Sequence, residues 1–406
     1  MRFLGDDNSP VKILARVRLK KGREKRLLSG HPWVYRVDVD VVRGPVHPGD
    51  IVLLENSRGK PLGLGYYNPF SFITVRFLTA NPEEEVDPSF FARRIRQALE
   101  YRLRFFEEDR TNAFRVVFAE ADFLPGLIVD KFGSLLVVQF LTLGMERRRS
   151  EVLEALKEVL SPEGIYERSD VEVRKKEGLE ECTGWLYGEG TTKVLIRENG
   201  LAFLVDIAQG QKTGHFLDQR ENRYALSRYV KDARVLDCFT YTGGFGIHAA
   251  AFGAREVIGV DISERAITLA WENACLNKVE DRVHFFVADV FDLLREFSKK
   301  GERFDLVILD PPAFVKSKES LEGALRGYRD INLFAMKLLP PGGILVTSSC
   351  SYHLSEDLFL EVLSDAACDA KRRLQILERR GQAQDHPILV GYPESHYLKC
   401  FILRVL

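Results

Sequence analysis

The chain has 406 residues, 45% of them hydrophobic and 29% charged, and a formal net charge of −1. That length exceeds one ordinary core, so two or three domains are expected, with ample apolar content to bury. No apolar run approaches the roughly 20 residues of a membrane span, and the start, Met1 to Asp7, lacks the apolar stretch of a signal peptide, so a soluble, cytoplasmic protein without a membrane partner is expected.

Residues 1–80 carry 14 Lys and Arg against 7 Asp and Glu, an excess that the rest of the chain offsets. This marks a candidate polyanion-binding module, with a solvated basic face as the alternative. Short strands are predicted over 12–19, 50–54 and 72–77, with turns at Lys21-Gly22, Pro48-Gly49 and Arg58-Gly59, the pattern of a small β-barrel. Asn81-Pro82-Glu83-Glu84-Glu85 then breaks the strand pattern, and helical spacing follows over 88–110. Residues 81–198 mix a helix over 151–160 with strands over 135–141 and 193–196, a middle α+β unit whose chemistry is not legible. From 199 to 406 the pattern is strand, glycine turn, helix, with strands over 234–239, 256–261, 284–288, 304–310 and 343–349. Such alternation predicts an α/β domain with a parallel, doubly wound, Rossmann-like sheet.

Asp237 ends the first of these strands and leads into Phe239-Thr240-Tyr241-Thr242-Gly243-Gly244, a glycine-rich turn opening a helix. Glycines let the backbone approach a ligand, and Gly244-x-Gly246-x-x-Ala249 also fits a relaxed dinucleotide fingerprint, with Asp261 placed for a ribose hydroxyl. Asp237 would repel a pyrophosphate but attract the ammonium or sulfonium of S-adenosylmethionine, and Asp289, after the third strand, can accept from an adenine amino group. Three acidic strand ends therefore favour S-adenosylmethionine over a dinucleotide; each alone also reads as a helix cap. Upstream, Lys212 or Arg220 can pair with the cofactor's carboxylate, the alternative being a turn at Gly214 followed by a capping pair, Asp218 and Glu221.

Asp310-Pro311-Pro312-Ala313-Phe314 follows the fourth strand, and Phe314 is placed to stack on a base that has left its helix. Methylation of an exocyclic amine would use a similar layout. Cys350, past the fifth strand among Ser348, Ser349 and Ser351, discriminates: carbon 5 of a pyrimidine is a poor nucleophile, and methylating it calls for a thiolate adding at carbon 6. The polar setting is expected to leave this thiol partly exposed with a lowered pKa. Asp310 would hold the N3 or N4 edge of cytosine, and the C5 proton would go to Asp310 or to water. Cys275 and Cys368 are read as buried helix-face thiols and Cys238 as core, while Cys182 and Cys400 carry no signal. With no C-x-x-C and no histidine at ligand spacing, neither a metal site nor a disulfide framework is expected.

Taken together these segments resemble, nearly end to end, the bacterial 23S ribosomal RNA cytosine-C5 methyltransferases that carry an N-terminal PUA domain. The matching stretches include Lys20 to Arg26, His31 to Tyr35, Tyr166 to Asp170, Arg174 to Gly178, Lys212 to Arg220, Tyr241 to Phe245, Asp310 to Phe314, Ser349 to Ser351, Asp385 to Ile388 and Tyr392 to Glu394. The resemblance implies a PUA RNA-binding β-barrel over 1–80, a middle α+β domain over 81–198 and a class I methyltransferase domain over 199–406. It implies Cys350 as nucleophile with Asp310 beside it. It carries cofactor contact onto Lys212, Thr213, Arg220, the turn from Phe239 to Gly244, Asp261, Asp289 and Asp310, with Asp237, Ile262 and Val290 completing the set. RNA contact is expected from Pro311, Pro312 and Phe314 at the site and from Lys20, Arg23, Lys25 and Arg26 in the first domain, where basic residues interleave with aromatics; Trp33 there reads as barrel core. The implied partner is 23S ribosomal RNA or the assembling large subunit, with a homodimer left open. A methyltransferase of another base, or an RNA-binding assembly factor without catalysis, are the competing readings.

Overall fold

Period-two alternation builds the first domain. The computed structural model describes residues 15–314 and 321–406, so residues 12–14 of the first predicted strand lie outside the described residues. Strands β1 (Arg16–Leu19), β2 (Trp33–Tyr35), β3 (Val39–Arg43), β4 (Ile51–Glu55), β5 (Pro61–Tyr67) and β6 (Ile73–Thr79) pair in the order β2-β6-β5-β4-β1-β3. Alternate residues Val17, Leu19, Val34, Val52, Leu54 and Val75 gather with Leu27 of α1 (Glu24–Leu28) in one small core. The ladder ends at β2 and β3, which are not paired with each other among the described residues, so the barrel is incompletely closed.

The middle unit is a sheet in the order β11-β10-β9-β8-β7, formed by β7 (Ala113–Phe118), β8 (Leu127–Phe132), β9 (Leu135–Phe140), β10 (Gly164–Ser169) and β11 (Cys182–Tyr187). Its face is covered by α2 (Pro88–Arg102) and α4 (Arg149–Leu160), with the short α3 (Leu143–Glu146) and α5 (Val173–Lys176) between strands. Asp87 caps α2 by accepting from Phe90 N at 2.8 Å, as the sequence Asp87-Pro88 favours. A hairpin of β12 (Lys193–Glu198) and β13 (Leu201–Asp206) follows. Residues 198 and 199 lie at its turn, and its Ile196, Phe203 and Val205 pack in one cluster with Phe132 of the middle sheet and Val235 of the next domain.

The third domain holds β14 (Arg234–Cys238), β15 (Glu256–Asp261), β16 (Val283–Val287), β17 (Leu306–Leu309), β18 (Ile344–Ser349), β19 (Leu374–Arg380) and β20 (Lys399–Val405), in the order β16-β15-β14-β17-β18-β20-β19. The first five are parallel and β20 runs antiparallel to β18 and β19. After α6 (Arg220–Ala225), helices α7 (Gly244–Ala251) and α8 (Glu264–Leu276) cover one face, while α9 (Val290–Lys300), α10 (Leu321–Leu338) and α11 (Glu356–Ala370) cover the other. Val235, Ile308, Val346 and Ile402 turn to the first face and Leu236, Val307, Leu345 and Leu403 to the second, which is why these strands read as continuous apolar runs.

Charged joints tie the three domains together. Arg76 of β6 reaches Glu120 at 2.8 Å and Glu177 at 3.0 Å in the middle unit. Trp33 is not barrel core: half-buried, it donates Nε1–H to Glu120 at 2.8 Å and meets Tyr392 edge-on, with ring centroids 5.0 Å apart. Its indole N–H needs an acceptor once buried, and a barrel of aliphatic side chains offers none. Two cysteines also differ from expectation: Cys275 and Cys368 are exposed, because the buried stripes of α8 and α11 run through Ala270 and Ala274 and through Leu363 and Ala367 instead.

Candidate active site

Strands β14 and β17 lie side by side, Cys238 opposite Leu309, and the helices that follow them leave toward opposite faces. An open α/β sheet has its binding crevice at such a switch point, beyond the strands' carboxyl ends. Here the crevice is a cavity of about 270 Å³.

The turn after β14 forms one wall. Its backbone is left-handed at Phe239 (φ 63°), Tyr241 (φ 51°) and Gly243 (φ 84°). For the two aromatic residues this costs of order 1–3 kcal/mol each, offset by hydrogen bonds. Thr240 N donates to Val260 O at 2.9 Å, Tyr241 N to Asp261 Oδ2 at 3.0 Å, and the Tyr241 hydroxyl to Gly214 O at 3.1 Å while accepting from Gln211 N. Phe239, Thr240, Tyr241, Thr242 and Gly244 line the cavity. Asp261, whose Oδ1 accepts from Ser263 N at 3.0 Å, lines it with the exposed Ile262; Asp289, capping α9 through Phe291 N at 2.8 Å, lines it with Val290.

The same cavity is lined by Lys212, Asp310, Pro311, Pro312, Phe314 and Cys350. Phe314 is wedged against Tyr328, Phe291 and Phe239 at centroid distances of 4.8, 5.8 and 6.4 Å. Asp310 Oδ1 accepts from Gln219 Nε2 at 2.8 Å, and Gln219 Oε1 in turn accepts from Asn222, which fixes the amide's orientation. Burial, reinforced by the charge of Asp218, pushes the Asp310 carboxyl up to about 7. Burial also pushes the Cys350 thiol up, opposed by Lys212 and reinforced by Asp310 and Asp218. The expected lowering is therefore not found: the serines flanking Cys350 bond to Tyr328 and to the backbone, and supply no charge.

Four expected contacts are not on the wall. Asp237 is fully buried beneath the turn, accepting from Thr240 Oγ1 at 2.5 Å and Gly246 N at 2.8 Å, and burial pushes it up to about 7. Gly243 lies behind the turn, where an added Cβ would meet Ile247 Cδ1 at 2.9 Å. Thr213 donates to Asp130 at 2.7 Å. Arg220 is spent on Asp385, at 3.1 and 2.8 Å, and lies over the Phe106 ring at 4.2 Å. In the first domain, Arg23 and Arg26 sit 3.4 and 3.6 Å from Asp38, Lys20 donates to Val37 O, and Lys25 is exposed with them; none of these four lines the cavity.

The chain matches the family model of S-adenosylmethionine-dependent methyltransferases over residues 135–392 and that of PUA-like domains over 17–80. The chain belongs to the S-adenosylmethionine-dependent methyltransferase family. It is 49% identical to "Ribosomal RNA large subunit methyltransferase I" of Tolumonas auensis, covering 96% of this chain and 99% of that one. With the protein of the same name from Escherichia coli it shares 45% at the same coverage. Among solved structures, a candidate SAM-dependent methyltransferase from Streptococcus mutans superposes with a TM-score of 0.82 at 23% identity, over 96% of this chain and 99% of that one. A candidate methyltransferase crystallised with SAH gives 0.83 at the same identity and coverage. The fold is thus that of a methyltransferase with an N-terminal PUA-like domain, and its cofactor is S-adenosylmethionine.

Several groups of this methyltransferase's site were not singled out from sequence. Asp218, for which the sequence offers only a capping role as one of two readings of its segment, lines the cavity, accepts from the Tyr397 hydroxyl at 2.6 Å and faces Lys212 at 3.8 Å. His215 and Arg223 line it too, both bound to the fully buried Glu198, at 3.1 and 2.6 Å. Lys399 donates to Ser351 O at 2.7 Å and to Tyr397 O at 2.9 Å, close behind Cys350, and burial lowers its ammonium to about 8. The periodic apolar pattern of β20 gave no hint that its first residue is a buried cation.

Proposed function

We propose that this enzyme methylates carbon 5 of a cytosine in 23S ribosomal RNA through a covalent adduct on Cys350. The observation that carries the reading is one cavity whose lining Cys350, Asp310 and Phe314 share with Asp261 and the strained turn. Support comes from relatives named for methylating large-subunit ribosomal RNA. The wall fits S-adenosylmethionine: Asp261 for the ribose hydroxyls, Ile262 and Val290 for the faces of adenine, Asp289 for its amino group, the 239–244 turn and Lys212 for the methionyl end. When bound, the cofactor supplies the electrophilic methyl group.

The chain's own residues then do the following. Phe314 and the rigid Pro311-Pro312 hold a flipped-out base in the cavity and exclude water. Lys212 favours ionisation of the Cys350 thiol, and its Sγ adds to carbon 6 of the ring. Asp310, raised to about 7 and so about half protonated at neutral pH, donates its proton to N3 from the protonated form as the ring takes up charge, and recovers it when the thiolate leaves. The first domain supplies RNA-backbone contact through Lys20, Arg23, Lys25 and Arg26, and the enzyme works in the cytoplasm on free RNA or an assembling subunit.

The test is incubation with ribosomal RNA carrying 5-fluorocytosine and S-adenosylmethionine. A complex that survives a denaturing gel with the wild type and is absent with Cys350→Ala is the expected result. Methylation by both proteins with no trapped complex would refute the carbon 5 route and favour an exocyclic amine or another base.

A further inference from the structure

Two carboxylates stand in the cavity with Cys350, and their surroundings shift them in opposite directions. Asp310 is pushed up by burial and by Asp218. At Asp218 burial acts in the same sense but is outweighed by Lys212, His386, the Tyr397 hydroxyl and Arg115, which hold it at about 2. Carboxyl groups whose environments separate their pKa values in one site divide acid and base roles between them.

The geometry of Asp218 is that of a held but incompletely used anion. It is 5% exposed and lies on the cavity wall. Tyr397 and Lys212 both engage Oδ2, while Oδ1 is shielded from solvent and accepts no hydrogen bond among the described residues. A buried carboxylate oxygen without a donor is costly, and such an atom at a reaction centre calls for an explanation. It lines the same cavity as Cys350 and Asp310, and the next residue, Gln219, donates to Asp310 at 2.8 Å.

We propose that Asp218 is the base that removes the C5 proton after methyl transfer, an inference that rests on the Cys350 adduct reading above. In the adduct, carbon 5 bears the new methyl group and its original hydrogen, and carbon 6 is bonded to Sγ. Oδ1 takes the hydrogen as a proton; the C5–H electron pair forms the C5=C6 double bond, and the C6–S bond breaks, its pair leaving with Cys350 as thiolate. No oxidant or reductant enters. The proton then passes from Asp218 to solvent on product release.

The other groups are less suited. Asp310 is raised to about 7, which leaves much of it protonated at neutral pH, and is committed to Gln219 on one oxygen. Lys399 gives its protons to Ser351 O and Tyr397 O, fixing the ammonium there. His215 also has an unpartnered nitrogen, but its other nitrogen is tied to Glu198, which Arg223 holds as well, and its ring lies beside Phe203, 5.6 Å between centroids. A strongly acidic carboxylate is a weak base in water; here it works shielded from water, on a step that restores the ring's conjugation.

The experiment uses the full chain, ribosomal RNA with ordinary cytosine and methyl-labelled S-adenosylmethionine, in a single turnover read on a denaturing gel. Wild type should leave its label in free RNA. Asp218→Asn, which keeps the shape and the Tyr397 bond, should instead accumulate label in a protein–RNA complex that decays at least about 100-fold more slowly, the lower end of what a general base contributes. Release of methylated RNA at the wild-type rate overturns the proposal, and so does a variant that binds SAH and RNA but transfers no methyl group. Should Asp218→Asn fail to bind SAH, Tyr397→Phe, which keeps the carboxylate but frees it to turn, must show the same accumulation in smaller measure; wild-type kinetics there also refute it. Failure of wild type to be trapped by 5-fluorocytosine would remove the Cys350 reading itself, a different failure from normal trapping with normal release by Asp218→Asn.

Discussion

Replacing Asp310 by Asn should stabilise the free protein at alkaline pH and leave it unchanged in acid. The folded carboxyl is pushed up to about 7 from an ordinary 3.8, chiefly by burial and then by the charge of Asp218. Below the ordinary value both folded and unfolded chains are protonated there, and Asp310 imposes no penalty. As pH rises toward 7 the unfolded chain ionises first, so stability falls, and above about 7 the loss is complete. Roughly three pH units at about 1.4 kcal/mol each set an upper bound of about 4 kcal/mol. The carboxyl opens onto a cavity that water can enter, which screens part of this, so about 2 kcal/mol is the working figure. Asn keeps an oxygen to accept from Gln219 and has no charge to bury. For a domain of about 200 residues, 2 kcal/mol moves the midpoint by roughly 4–8 °C. The assay is thermal unfolding of wild type and Asp310→Asn, without cofactor, at pH 5 and pH 8.5. At pH 5 the unfolded chain is already ionised there and about a third of the penalty is present, so the variant should gain about 2–5 °C more at the higher pH. An equal difference at the two pH values would refute the assigned cause, and destabilisation at pH 8.5 would mean that the ionised carboxylate is held by donors not recognised here.

Arg220→Met should lower stability by about 3–5 kcal/mol, because Asp385 is left buried without its cation, while SAH affinity by calorimetry should change little; the reverse pattern would restore Arg220 as a cofactor ligand. Gly243→Ala places a side chain at φ 84° with its Cβ 2.9 Å from Ile247 and 3.0 Å from Phe285, so a loss of about 2 kcal/mol with weakened SAH binding is expected. Because burial raises the Cys350 thiol and Lys212 opposes that rise, alkylation of Cys350 by iodoacetamide at pH 7 should be slower than that of a free thiol, with its rate climbing past pH 9. Lys212→Met should slow it several-fold further, as read by mass spectrometry of the modified peptide.

What could be read from sequence followed the physics of each segment. The strands of the third domain are buried on both faces, so β14, β15 and β17 appear as apolar runs, and their following Asp or Gly residues mark the crevice edge. The middle sheet was largely missed because its buried positions carry charge. Arg115 of β7 pairs across the ladder with Asp130 of β8, at 2.7 and 2.8 Å, and Glu167 and Arg168 of β10 are buried in the same way. An ion pair inside a strand looks, in one dimension, like a break in the apolar pattern. The same applies to Trp33, whose aromatic neighbourhood resembles barrel core but whose indole partner, Glu120, lies in another domain.

For the site, the motifs located the right stretch of chain but not the direction of each side chain. Asp237, Thr213 and Arg220 lie within or beside the correct segments and turn away from the cavity, toward Gly246, Asp130 and Asp385. Their types were informative in a different way: each is a buried polar group holding a cavity-lining segment in place, and the strained φ at Lys212, Phe239 and Tyr241 depends on such supports. Asp218 shows the limit from the other side. A local rule offers it a capping role, yet its decisive partner, Tyr397, is 179 residues away, on the segment leading into the antiparallel strand β20. No spacing rule spans that separation; only the closure of β20 onto β18 brings the Tyr397 hydroxyl to Asp218 and the Lys399 ammonium behind Cys350. The antiparallel end of the sheet therefore does more than complete a core. It delivers a donor that fixes one carboxylate oxygen and leaves the other without a hydrogen bond among the described residues, and if that oxygen takes the C5 proton, Tyr397→Phe should slow turnover while SAH affinity, read by calorimetry, is kept.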